Sequence, residues 1–448
     1  MESPSLSSLE PDQAARNAPR KEILAWASYD IANATYGTVV ATTVYNAYFT
    51  AVVCGPESGL AKGVGTLLLT LIICISSLAI VVSAPIVGTI SDATASKKKI
   101  LFVSTFICII ATAVLALCGA GAVIPAMVTL IIANTAFGTG EDLVAAFLPE
   151  IATRKDMGRI SSLGWAAGYV GGLLSLGSCG AYVSWAVRQG QASSDYVPVI
   201  MLFCAIAFAV ASLPTFIYLK ERAVPDPSAI GKNPVTAGFQ RLKATILHTR
   251  HYRDLFLFLI TLFLYSCGTT TIFHLATVYA KEVLKFTDLD SIIMILVVNV
   301  TAAIGAIAFG FVQDRVGSVK TLMTTLSIWS VAIVFAAVAQ DKTQLYIAAI
   351  LVGIAMGSTG SVGRALVSQF APKGRSGEFL GLWGVAVKLA TAVGAISFGA
   401  ILWLTDNNYR VAIISTLVFF AAGMGMLARV NEKRGILAAS TDVDDPLL

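Results

Sequence analysis

The sequence predicts an all-α integral membrane protein, with twelve transmembrane helices in two pseudo-symmetric six-helix bundles. Three observations carry this prediction. Apolar residues make up 56% of the 448 positions and charged residues only 13%, where an ordinary soluble domain carries about 25% charge. Twelve apolar segments each approach or exceed the ~20 residues that a helix needs to cross a bilayer. A polar pattern that closes the second segment at Gly88 returns at Gly310, closing the eighth, as expected of a duplicated half.

Residues 1–21 are rich in Ser, Pro and Ala and are expected to form a disordered tail, because such a stretch buries too little apolar surface to fold. The apolar segments follow at 24–53, 65–91, 100–120, 123–150, 160–187, 197–219, 252–280, 290–312, 321–340, 344–370, 379–404 and 409–429. The longest polar interval separates six segments from six. The expected organisation is an N-terminal bundle over 22–220, a linker over 221–251, a C-terminal bundle over 252–430 and a tail over 431–448. Within the linker, Phe239, Leu242 and Ile246 recur at helical spacing beside Arg241, Lys243 and Arg250; this fits either an interfacial helix or a plain basic connector.

Lys and Arg accumulate in cytoplasmic loops. With the N-terminus placed inside, the inner loops and tails hold 23 of the 31 basic residues, which puts both termini in the cytoplasm. The same spread of charge explains the net +5 without any nucleic-acid partner, since no loop concentrates it. Six of the seven cysteines lie in apolar segments, with Cys54 near a surface, and read as free thiols rather than disulfides. The first apolar run is too long for a cleaved signal. Asn33-Ala-Thr35 and Asn299-Val-Thr301 match the glycosylation pattern but fall inside spans. Asp444-Asp-Pro-Leu-Leu448 has the composition of an acidic sorting signal, and equally of a solvated tail.

Charges inside spans are costly, about 2.5–3.5 kcal/mol on insertion scales, and need a partner or a task. Asp30 is the first, in Trp26-Ala-Ser-Tyr-Asp-Ile-Ala-Asn33, with Asn33 and Gly37 spaced to share its helical face. Lys388, ten residues into the eleventh span and in line with Gly381, Gly384 and Thr391, is the cation expected to meet either Asp30 or an anionic group of the solute. Glu141 and Asp142 sit side by side in the fourth span after Gly138-Thr-Gly140. Adjacent helical positions diverge by about 100°, so one of the two should face the centre, and neighbouring carboxylates can share a proton. Arg364 lies on a polar stripe with Gly357, Ser361 and Ser368 in the tenth span. It fits a carboxylate-gripping role or a gate salt bridge. His274 could titrate near neutral pH but fits packing better, as do Trp165, Tyr169 and Trp383 as pocket walls. With three histidines, two of them in a loop, no metal site and no catalytic constellation assembles, so an enzyme and a bound cofactor are not expected.

The repeat reads Gly88-Thr-Ile-Ser-Asp92-Ala-Thr-Ala-Ser-Lys-Lys-Lys99 and Gly310-Phe-Val-Gln-Asp314-Arg315-Val-Gly317-Ser-Val-Lys320. Each glycine allows a close helix approach, and each aspartate can accept from a neighbouring helix N-terminus. The pair resembles the loop motif of the major facilitator superfamily, although Ala93 and Ala95 stand where Arg and Gly are usual. Three further stretches, Ala25–Asn33, Ser161–Gly172 and Gly363-Arg364 through Glu378-Phe-Leu-Gly-Leu382 to Lys388, resemble the autophagy-related vacuole-effluxer family and its bacterial relatives. Ile31 replaces the Trp common there.

The resemblance implies two bundles rocking about a central site. The function expected is a secondary active transporter moving a small polar solute, an amino acid or similar metabolite, in the efflux direction and coupled to protons. Asp30, Asn33, Glu141, Asp142, Arg364 and Lys388 would read solute or proton, and Gly88, Asp92, Gly310, Asp314, Arg315, Arg375 and Glu378 would gate the inner end. A monomer in a cytoplasmic membrane, if bacterial, or a vacuolar membrane, if eukaryotic, would suffice. The alternatives are a porter for another cargo (sugar, nucleoside or drug) or a membrane sensor or scaffold.

Overall fold

A computed structural model describes residues 18–61, 64–224, 252–406 and 408–441. The linker helix expected over 235–250, the first tail and the Asp444–Leu448 stretch lie outside the described residues. So does the side chain of His274.

Among the described residues there are twelve membrane helices. In chain order they are α1 (Arg20–Thr35, prolonged to Val53), α2 (Val64–Ala93), α3 (Lys97–Leu115), α4 (Val123–Ala145), α5 (Met157–Arg188), α6 (Ser193–Tyr218), α7 (Arg253–Leu284), α8 (Asp288–Val316), α9 (Ser318–Val338), α10 (Lys342–Phe370), α11 (Ser376–Leu404) and α12 (Tyr409–Ser415 with Leu417–Leu427). Eleven of the spans are long and apolar enough by simple window criteria. The first is not, because beyond Thr35 it passes through π-helical turns at Tyr36–Thr43 and Phe49–Val53. The sequence there is Gly followed by β-branched and small residues. Side-chain donors take up the carbonyls that a wider turn releases: Thr42 Oγ1 donates to Gly37 O and Thr38 O, Thr43 Oγ1 to Thr38 O, and Asn46 Nδ2 to Ala41 O.

Helix starts have local causes. Thr287 and Asp290 form a capping box at α8, Asp341 caps α10 and Asn408 caps α12. After α12 a further helix, α13 (Glu432–Thr441), lays Gly435 against the Phe370 ring.

The helices pack as two copies of one plan. In the first half α1 lies on α5 and α6, α4 on α2 and α3, and α3 on α6. In the second half α7 lies on α11 and α12, α10 on α8 and α9, and α9 on α12. Each half has its own core, around Trp26, Tyr29, Phe49 and Phe147 in one and Phe258, Trp329, Phe370 and Phe420 in the other. The halves meet mainly along α2 with α11 and α5 with α8. Outward-facing Leu78, Ile124, Ile206 and Ile396 remain exposed, the apolar belt that lipid requires. All seven cysteines are free; Cys54 is buried rather than superficial, and Cys74 is exposed on α2 rather than buried.

Candidate functional site

The polar side chains that join the halves form a ladder between them. Its first rung is at the end where α2 and α8 finish. Asp92 accepts from the Gly377 and Glu378 amides at 3.1 and 2.9 Å, the first turn of α11. Asp314 accepts from the Gly158 and Arg159 amides at 2.9 and 3.1 Å, the first turn of α5. Each carboxylate thus meets the positive end of a helix from the other half. A side chain at Gly88 would strike the Gly377 carbonyl, and one at Gly310 would strike Ser162; only glycine permits these approaches. Arg375 and Glu378 pair within α11 at 3.1 Å, with Arg375 also donating to Tyr252 Oη at 2.7 Å. Arg315 is exposed and stands away from this rung.

Several residues of this end were not anticipated from the sequence. Lys97, almost fully buried, reaches Asp92 at 3.0 Å, Glu150 at 2.7 Å and Ser376 at 2.8 Å. Glu221 accepts from the Lys97 and Lys98 amides at the start of α3, and Glu432 does the same for Ser318 and Val319 at the start of α9. Glu22 takes Arg222 in a two-toothed pair at 2.6 and 2.8 Å together with the Lys220 amide, and Asp254 takes Arg434 and the Asn431 amide. Burial pushes the Glu22 carboxyl up, but Arg222 and the Lys220 amide outweigh it and hold the group below the usual glutamate range. The signal was present: an acid opens α1 and α7, and a Glu followed closely by Arg ends each half.

The second rung joins α1 to α5 and α10. Arg364 approaches Asp30 at 3.1 Å and donates from Nη2 to Ser161 O at 2.7 Å and from Nε to Ser161 Oγ at 3.2 Å. Its guanidinium lies 4.8 Å from the Trp26 ring centroid and 5.7 Å from that of Trp165. Ser161 Oγ donates in turn to Ser361 O. The partner of Asp30 is therefore Arg364 and not Lys388, because α10 packs on α5 and carries the Arg364 guanidinium past Ser161 to Asp30. Asn33 is buried with Oδ1 unpaired among the described residues. Gly37 falls in the π-helical stretch and faces Phe137, off the face expected for it.

The third rung joins α4 to α11. Lys388 Nζ lies 3.5 Å from Glu141 Oε2. Asp142 lies beside it, packed against Gly384, where a side chain would collide with its carboxylate. Both acids thus reach the seam with α11, although the helical angle between them had suggested one. Trp383 is buried on α11, and the Trp165 ring lies tilted against Tyr169 at 5.9 Å, with its Nε1 unpaired among the described residues.

Exposure rises along the ladder. Side chains are 1% exposed in Lys97–Asp92, 5% and 14% in Arg364–Asp30, and 23% and 34% in Lys388–Glu141. The contact between the halves is closed at the Asp92 end and most accessible at the third rung. No group of metal-ligating side chains occurs among the described residues.

Residues 66–440 match the family described as vacuole effluxer Atg22 like. The chain is 27% identical over 439 residues to an uncharacterized MFS-type transporter, YxiO, of Bacillus subtilis, covering 95% of this chain and 99% of that one. It is 24% identical over 338 residues to autophagy-related protein 22 of Yarrowia lipolytica, covering 67% of this chain and 55% of that one, so it spans about half of this fungal relative. Its fold superposes on the major facilitator proton:xylose symporter XylE with a TM-score of 0.69 at 16% identity, covering 94% and 98% of the two chains. The chain is a multi-pass membrane protein of the major facilitator fold, and it belongs to the Atg22-like effluxer family of transporters rather than to any family of enzymes.

Proposed function

We propose that this protein exports a small polar solute, an amino acid or similar metabolite, by alternating access coupled to protons. The observation that carries the reading is the graded ladder: sealed at the Asp92 end, wet at Glu141–Lys388, and built at every rung from residues of both halves. Such a cleft exposes a central site to one side, and rocking of the halves exposes it to the other. The Asp92 end faces the cytoplasm, supported by the basic residues gathered there, and both termini lie on that side.

The Lys388–Glu141 pair offers a zwitterion complementary charges: the ammonium for its carboxylate, the carboxylate for its ammonium. Asn33 Oδ1 and Trp165 Nε1 supply an unpaired acceptor and donor. The Asp30–Arg364 pair is the drier one and serves as a latch that breaks when the halves rock. Gly88, Asp92, Gly310, Asp314, Arg375 and Glu378 close the inner gate, with Lys97 and Glu150 added to it. Export is supported by the family's description as an effluxer, and proton coupling by the fold neighbour named as a proton symporter. One chain encloses the whole site, which is consistent with a working monomer.

The test is flux of a labelled amino-acid mixture in proteoliposomes with and without an imposed pH gradient. Gradient-dependent accumulation of at least one amino acid is expected. Folded protein that moves none of them under either condition would refute the amino-acid reading.

A further inference from the structure

The third rung contains a carboxylate that the ladder does not use. Asp142 is only 6% exposed, and its Oδ2 is buried with no hydrogen-bond partner among the described residues. Among the described residues none donates to either of its oxygens, whereas Glu141 beside it holds Lys388. The surroundings can be taken helix by helix. From α11 comes Lys388, already engaged at 3.5 Å, while Glu378 of the same helix lies ten residues away at the first rung, paired with Arg375. From α1 come Asp30, held by Arg364 of α10, and Tyr29, whose hydroxyl is bonded to Thr105 at 2.6 Å. The lengths of α2 and α3 that run past this level carry no charged residue between Val64 and Ser91 or between Ile100 and Leu115, only the thiols of Cys74 and Cys108. Two carboxylates therefore share one ammonium. A charged carboxylate buried without a donor is among the costliest arrangements in a protein, and binding one proton brings the group of three to neutrality.

Position adds the second argument. Asp142 is pressed against Gly384, the point where α4 of one half touches α11 of the other, and a Cβ there would occupy its place. The carboxyl thus lies in a seam that must separate or shear when the halves rock. Glu141, at 34% side-chain exposure, connects it to the water of the cleft.

We propose that Asp142 is the proton-binding site of this protein, a carboxylic acid set in the α4–α11 seam that releases its proton when that seam parts. The bound proton lets the seam close around a neutral group; opening gives the carboxylate access to water and to Lys388. The role deepens the proton-coupled reading, but the site is testable without it.

The experiment is infrared spectroscopy of the purified full-length protein in lipid nanodiscs at pH 7, with no solute and no gradient. Wild type is expected to show a carboxylic-acid C=O band that shifts when the protein is grown with ¹³C-aspartate. The band should disappear in D142N and persist in D30N. Absence of a label-sensitive acid band in wild type, which requires no variant to fold, overturns the proposal. So does a band that survives D142N or vanishes with D30N instead. Because no transport is measured, failed flux in proteoliposomes would leave the site standing, and a missing band would leave transport standing.

Discussion

At the scale of single residues, the two central ion pairs should respond differently to removal. Arg364 is nearly dry and serves Asp30, Ser161 and two indole faces at once. Breaking a buried pair by deleting one partner costs on the order of 3–5 kcal/mol, so R364A should lower the thermal midpoint strongly. R364K should also lose most flux, since an ammonium cannot reach all three oxygen partners together. Exchanging the charges, D30R with R364D, should recover part of the stability, whereas exchanging Asp30 with Lys388 should not. Lys388 is wetter and its contact looser. K388Q should therefore cost little stability, on the order of 0–1 kcal/mol, yet abolish solute flux. Equal thermal losses in R364A and K388Q would contradict the division into latch and site.

At the scale of elements, the proposed inner gate is a contact of helix ends made possible by missing side chains. G88V places a branched side chain against the Gly377 carbonyl; the expected result is a gate held open at that end. Spin labels at Lys99 and Lys373, on either side of the α2–α11 contact, should move apart by several ångströms in G88V, a shift that pulsed electron resonance resolves. An unchanged distance would mean that the close approach is not what seals the cleft. The struts behind the gate titrate. Since Arg222 and the Lys220 amide keep the Glu22 carboxyl below its usual range, the stability it contributes is present above that range and is lost as pH falls through its lowered value. Thermal stability should drop on acidification below the ordinary glutamate range, and E22Q should flatten that part of the profile.

At the scale of the whole molecule, the twelve spans, the two halves and the helix-end contacts of Asp92 and Asp314 were legible in the sequence, because a bilayer leaves few ways to satisfy a backbone and because Gly88–Asp92 and Gly310–Asp314 advertise the duplication. The partners were not legible. Lys388 was the cation expected at Asp30, and only the packing of α10 on α5, which carries Arg364 past Ser161, puts Arg364 there instead. Lys97 read as one basic loop residue among three, although it is buried and joins Asp92 to Glu150. The two gates also differ in a way the motif conceals. Asp92 has an ammonium beside it, while the position that corresponds to Lys97 in the register of the repeat is Val319, which carries no charge. The halves are alike in path and unlike in charge. The π-helical turns of α1 bear on the same whole. Each wide turn is a residue that an ordinary helix would not contain, so shedding one by returning to α-helical bonding turns everything beyond it by about 100° without leaving a carbonyl unserved. The far end of α1, from Val44 to Val53, can therefore be re-aimed by a change of count rather than by a bend. Deletion of Ala41 would fix that change permanently, swinging the buried rings of Tyr45 and Phe49 off their packing, and the resulting fall in thermal midpoint would show how much of the fold depends on the surplus residue staying where it is.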